Sequence, residues 1–292
     1  MTSRLATPAA EVDPHAVVMH PDADAFLARA EPWLMEAEDE HNLILGLAAA
    51  LAGADPGAGE DRHFWATVET EGRVVGCAFR TPPHKLGLTR MPLEAAAILA
   101  GEVATRYRAL PATFGPTLVA QAFGRAWGEV TGASWALGLP QRMYRLDEVI
   151  PPAGVAGRLR QAAETDLGTA HQWAEDFARD AGHEFMTPPA ARERWIRQRE
   201  LHFWEVHGSP VAMAVATGWT PHGARIGYVF TPREHRGNGY ASALTASLSQ
   251  RILDGGRRFC VLYTDATSPV PNAIYPRVGY RPLTELVDVN FR

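Results

Sequence analysis

Cysteine is scarce in this chain of 292 residues. There are two, Cys77 and Cys260, each inside an apolar run (VVGCAF and FCVLY). That placement leaves no disulfide framework and no zinc-type spacing, and it fits two small buried hydrophobes in a reducing compartment. Long apolar runs are missing as well: no window reaches the ~18 residues of a membrane span. The opening stretch MTSRLATPAAEVDPHAVV lacks the apolar core of a signal peptide. A soluble, cytoplasmic chain without a membrane partner is expected. Basic charge is not in excess either. The formal net charge is −5, which argues against nucleic acid held on a broad basic face. Two phosphate-binding signatures are absent, the G-x-x-x-x-G-K-[ST] loop and a G-x-G-x-x-G following a strand.

The hydrophobic (46%) and charged (21%) fractions are those of a globular protein, long enough for one large domain or two ordinary ones. Residues 1–20 read as an irregular lead-in. Helical periodicity runs from Asp22 to about Gly53 with a break near Glu38–Glu40. Two β-type runs, HFWATVET and RVVGCAFRT, meet at Glu71-Gly72 as a hairpin. Helical stretches follow at 93–108 and 117–131, then two strand-like pieces, SWALGL and YRLDEV. Pro151-Pro152-Ala153-Gly154-Val155-Ala156-Gly157 is the best linker, so the expected domains are 21–150 and 158–292.

Beyond that linker the plan repeats. RLRQA reads as a short strand, 164–181 and 189–199 as helices, and LHFWEVHGSPVAMAVATGW as a second hairpin. The tripeptide His-Phe-Trp recurs 139 residues apart, at 63 and 202, and VVGCAF and VAMAVA lie 137 apart, at 74 and 211. The same order of helices and hairpin in both halves favours a duplication. The halves then diverge. The second continues with a further strand, ARIGYVFT, and a cationic, glycine-bearing elbow, REHRGNGYASA. The first has LGLTRMPLEAAAILA there, with Pro92 where a backbone donor would be wanted.

The elbow opens a helix whose apolar stripe is Ala241, Leu244, Leu248 and Ile252 and which stops at Gly255-Gly256. A helix N-terminus presents unpaired N–H groups and a partial positive charge, and glycines let a phosphate approach the backbone. Arg236, and Arg233 beside it, add cations. These are the parts of a pyrophosphate cradle.

Arg236-Gly237-Asn238-Gly239-Tyr240-Ala241 resembles the R/Q-x-x-G-x-G/A signature of the GNAT N-acetyltransferases. Downstream, SPVPNAIYPRVGYRP resembles that family's Asn-x-x-x-Tyr…Gly-Phe/Tyr segment, with Asn272, Tyr275, Gly279 and Tyr280 in those places. The likeness is specific over about 200–292, weaker over 157–200, and over 20–148 it is one of pattern only. It implies an α/β protein of two tandem GNAT-like domains, each a mixed, largely antiparallel sheet flanked by helices. The first would be a degenerate copy.

The resemblance implies acetyl-CoA as cosubstrate and no metal. Its pyrophosphate would lie on the N–H groups of residues 236–241, and the pantetheine arm would follow Val229, Phe230 and Thr231 as an added strand does. The fourth and fifth strands of the domain would splay to admit the thioester. Tyr275 would protonate the departing thiolate, since a phenol stays protonated at neutral pH. Asn272 would contact the cofactor arm or cap its short helix. For the base, Glu184, Glu205, His202 and Asp265 are candidates, and none is singled out. The expected activity is transfer of an acetyl group to a primary amine of a small molecule. A protein amine, or an acyl-CoA-binding sensor without catalysis, are the alternatives.

Overall fold

The computed structural model describes residues 14–57, 62–181 and 188–292. The chain divides into two compact units, each assembled from non-contiguous segments.

The first unit comprises Met1–Ala30, Asp55–Ala136 and Val289–Arg292. Residues 15–20 are not an irregular lead-in: they form strand β1 (His15–His20), paired antiparallel with β2 (Phe64–Thr70) from His15↔Thr70 to His20↔Trp65. No alternation of apolar and polar residues marks HAVVMH, so only pairing reveals it. β2 turns through Glu71 and Gly72, at φ 50° and 74°, into β3 (Arg73–Arg80). This is the left-handed geometry of a two-residue hairpin. The three-residue β4 (Leu86–Leu88) and β5 (Ala112–Pro116), which periodicity did not flag, extend the order to β1-β2-β3-β4-β5. Helices α3 (Leu93–Arg106) and α4 (Thr117–Thr131) cover it. Leu99, Val103, Phe123 and Trp127 pack with Phe64, Ala66, Val68, Leu86 and Leu88 into one core.

The second unit comprises Glu31–Ala54 and Leu137–Asp288. Helix α1 (Ala23–Leu34) ends at a 3-10 turn, Met35–Ala37, and α2 (Asn42–Leu51) follows, so the expected break near 38–40 is present. His41 closes the break: its Nδ1 lies 2.8 Å from the Leu34 carbonyl and its ring stacks on Trp33 at 4.7 Å. The two strand-like pieces expected around 135–149 are one strand, β6 (Trp135–Leu146). Residues 151–157 carry no helix or strand and connect β6 to β7 (Arg158–Gln161). Then come α5 (Leu167–Asp180), α6 (Pro189–Arg197), β8 (Leu201–Val206), β9 (Ser209–Thr217), β10 (Gly223–Phe230), α7 (Tyr240–Asp254), β11 (Phe259–Asp265), α8 (Pro269–Val278) and β12 (Arg281–Phe291). Sheet order is β12-β6-β11-β10-β9-β8-β7.

Alternation sorts the side chains of this sheet. Ala214, Ala216, Ala224, Ile226, Cys260 and Leu262 join Leu244, Leu248 and Ile252 of α7 in one core. Leu201, Phe203, Met213, Val215 and Phe230 pack with Ala170, Ala174, Trp195 and Ile196 of α5 and α6 in another. Both units are therefore α/β, with mixed, mostly antiparallel sheets flanked by helices. Both cysteines are buried and free, and burial pushes the Cys260 thiol up to about 12. That is the state of an inert packing residue.

Candidate active site

The site is organised by a failure of strand pairing. β10 and β11 are parallel and paired at Gly223↔Phe259, Ala224↔Cys260 and Arg225↔Val261. Both strands then run on, to Phe230 and Asp265, without further pairing to each other. On its other edge β10 stays paired to β9 as far as Phe230↔Met213, through a one-residue bulge after Gly227. Tyr228 sits in that bulge at φ 52°, a left-handed conformation rare for a bulky residue, and a bulge of this kind bends a strand. Its ring is held by Phe177 at 5.1 Å and Trp195 at 4.5 Å. The backbone of Val229 and Phe230 thus has no β11 partner on the splayed side. Thr231, next in line, has a buried hydroxyl with no hydrogen-bond partner.

The splayed strand leads into the elbow. Gly237 and Gly239 adopt φ 82° and 79°, positions that strain any residue with a Cβ. A Cβ on Gly237 would meet nothing within 4 Å. Gly239 caps α7, its carbonyl accepting from Ala243 N–H at 3.0 Å. The N–H groups of Gly237, Asn238, Gly239, Tyr240 and Ala241 donate to no turn, loop or cap carbonyl. Two arginines pin the loop from outside. Arg236 donates from Nε to the Thr231 carbonyl at 2.9 Å and pairs with Asp180 at the end of α5. Arg233 reaches the same carboxylate at 3.4 Å. Asn238 donates to the carbonyls of His235 and Arg236, at 3.0 and 3.3 Å. The result is a run of backbone donors without carbonyl partners at a helix N-terminus, where an anion is favoured.

Tyr275, on α8, is buried between Tyr144 and Tyr280, ring centroids at 5.9 and 5.8 Å. Burial pushes its phenol up to about 12, so it holds its proton throughout the physiological range. Asn272 binds internally. Its Nδ2 donates to the carbonyls of Asp265 (2.9 Å), Ala266 (3.2 Å) and Ser268 (2.6 Å), and its Oδ1 accepts from the Tyr144 hydroxyl at 3.0 Å. That side chain fastens the end of β11 to α8.

The candidate bases have separate fates. Glu184 lies outside the described residues. Glu205 pairs with Arg158 (2.7 Å) and Arg160 (2.6 Å), which hold its carboxyl below the usual range. His202 is buried with Nδ1 3.1 Å from the Glu200 carbonyl, and burial takes it down to about 4. Asp265 accepts from the N–H and hydroxyl of Thr267. Sequence reading overlooked Glu200, whose buried carboxyl is pushed toward its neutral form by desolvation and whose Oε2 has no partner. It also overlooked Arg225. An arginine inside ARIGYVFT looks like any strand residue until the register shows where the ladder ends.

The corresponding turn in the first unit is closed. Thr89 Oγ1 accepts from Cys77 N–H at 2.8 Å and lies 3.2 Å from the carbonyls of Cys77 and Arg90. Met91 is buried against Gly76, and Pro92 supplies the N-cap of α3. No glycine stands between Thr89 and the start of α3.

The splayed parallel pair and the glycine elbow both fall inside one stretch of the chain that matches a known family. Residues 170–280 match the sequence model described as the Acetyltransferase (GNAT) family, and that part of the chain is a GNAT domain. No curated protein sequence matches the chain. Solved structures share the fold along nearly the whole chain. An acetyltransferase of the GNAT family from Colwellia psychrerythraea is 13% identical with a TM-score of 0.60, covering 95% of this chain and 100% of its own. A GCN5-related N-acetyltransferase from Sphaerobacter thermophilus is 16% identical, TM-score 0.59, with 95% of each covered. A tandem GNAT protein from the clavulanic acid biosynthesis pathway is 14% identical, TM-score 0.51, covering 94% and 97%. The tandem architecture is therefore an established arrangement of this fold. Among the described residues no helix is long and apolar enough to cross a membrane, and no group of three ligand side chains is placed to hold a metal ion.

Proposed function

We propose that the second unit transfers the acetyl group of acetyl-CoA to a primary amine of a small molecule by direct attack in a ternary complex. One observation carries the reading: the unpaired edge of β10 runs directly into the left-handed glycines and free N–H groups of residues 237–241. The fit to the donor is chemical. A pyrophosphate is an anion that several backbone N–H groups hold without a Cβ in the way. The open space over Gly237 leaves room for it. The orphaned Thr231 hydroxyl and the unpaired edge at Val229 and Phe230 offer donors and acceptors to an amide-bearing arm. Arg236, already tied to Thr231 and Asp180, supplies charge beside the cradle and keeps the loop in place. Asn272 sets the β11–α8 corner on the far side of the splay.

The neutral amine attacks the thioester carbon, the carbonyl oxygen becomes an oxyanion, and the C–S bond then breaks. The ammonium proton leaves to water or to a base, and the thiolate takes a proton. Tyr275 is the proposed donor of that last proton, because burial keeps its phenol protonated. Incubating the chain with acetyl-CoA and a panel of small amines, and following free thiol, tests the activity. Amine-dependent thiol release supports it. Tight binding of acetyl-CoA with no release on any amine would turn the reading to an acyl-CoA-binding protein.

A further inference from the structure

At the apex of the splay lies an arginine that makes no ion pair among the described residues. Arg225 is the last residue of β10 paired to β11. Its neighbours Ala224 and Ile226 point into the α7 core, so alternation sends the guanidinium to the opposite face of the sheet. Tyr263 shares that face, since Cys260 and Leu262 of β11 belong to the α7 core. Arg225 makes no hydrogen bond or ion pair among the described residues, although it is half-buried. Burial pulls it below the ordinary arginine value, without discharging it at neutral pH.

What surrounds it is polar and unfinished. Gly218, at φ +58°, packs against it: a Cβ there would stand 3.4 Å from Arg225 Cζ and 3.0 Å from Asn42 Oδ1. Asn42 is fully buried. Its Nδ2 donates to the Gly218 carbonyl at 2.8 Å, while Oδ1 has no partner. Glu200 is the nearest acidic influence, but it forms no ion pair with Arg225, and its own Oε2 is orphaned. Buried acceptors left unpaired, here Asn42 Oδ1 and Glu200 Oε2, are costly, and a bound ligand that donates to them removes that cost. Glycine at 218 keeps the floor of the site open.

We infer that Arg225 anchors a carboxylate carried by the acceptor, so that the acceptor class is amino acids and amino-acid-like amines rather than simple amines. Asn42 Oδ1 takes an N–H or O–H of the same molecule. The guanidinium matches a carboxylate in a two-bond fork, and its place at the closed end of the splay lets the amine of a short molecule extend toward the gap between the strands. This rests on the acetyl-transfer reading of the same site.

Two measurements test it. In the first, each of a set of common amino acids is paired with its amide, and thiol release from acetyl-CoA is compared for wild type and for Arg225→Met and Arg225→Lys. Wild type is expected to prefer at least one free acid over its amide by about 10²-fold or more in kcat/KM, the scale for leaving a site's polar group unpaired. Arg225→Met is expected to lose that preference, and Arg225→Lys to keep part of it, while acetyl-CoA binding measured by calorimetry persists in both. Acetylation of amines with no preference for the carboxylate, or a preference that survives Arg225→Met, would overturn the inference and leave the transferase reading standing. In the second, the same amino acids and amides are titrated calorimetrically without acetyl-CoA. Arg225-dependent binding of the acids supports the anchor even if no turnover is seen, and no binding together with no turnover counts against both readings.

Discussion

Arg225 and Val261 are the last paired positions of the parallel β10–β11 ladder, although both strands continue for several residues. Everything assigned to the donor lies beyond that rung: the unpaired edge at Val229 and Phe230, the orphaned Thr231 hydroxyl, and the glycine elbow.

Tyr275→Phe removes the proposed proton donor and little else, because the ring keeps its packing against Tyr144 and Tyr280. Turnover should fall by about 10²-fold with acetyl-CoA affinity unchanged. Full-speed turnover would take Tyr275 out of the mechanism.

Gly46 tests how α2 is seated. A Cβ there would stand 2.8 Å from Gly218 Cα, a backbone atom that cannot swing aside. Gly46→Ala gains helix propensity but overpacks this crossing. We expect a loss of about 1–3 kcal/mol and a Tm lower by roughly 2–10 °C. A Tm at or above wild type would show that α2 has slack.

His202 makes stability depend on acid. Its folded value, about 4, lies below the ordinary 6.5 because burial disfavours the charged ring. Between those values the unfolded chain binds a proton that the folded chain does not, so stability falls as pH drops from 6.5 toward 4. The loss is about 1.4 kcal/mol per unit of separation at most. In urea unfolding at a series of pH values, His202→Gln should flatten this acid slope relative to wild type. An unchanged slope would assign it to other groups.

Much of the fold was legible because periodicity and turn chemistry agree. The Glu71-Gly72 hairpin, α3, α4 and the break before α2 follow from local sequence. β1 and the short β4 and β5 did not, because HAVVMH, LGL and ATFGP become strands only through partners distant in sequence. β6 was split in reading because Pro140 interrupts it. At the site, the glycine elbow could be read locally, since φ > 0 at two nearby positions needs glycine. Arg225, Glu200 and Asn42 could not. Their meaning lies in where a ladder ends and which buried atoms lack partners, and sequence spacing encodes neither.

Acetyl-CoA titration by calorimetry tests the central claim, that RGNGYA is a phosphate cradle used once per chain. The account predicts one equivalent per wild-type chain. It also predicts an affinity loss of at least about 10²-fold when Gly237 and Gly239 are both changed to Val in a chain that still folds, the scale of one or two charge-assisted hydrogen bonds. Unchanged affinity in that variant, or two equivalents per chain, would contradict it.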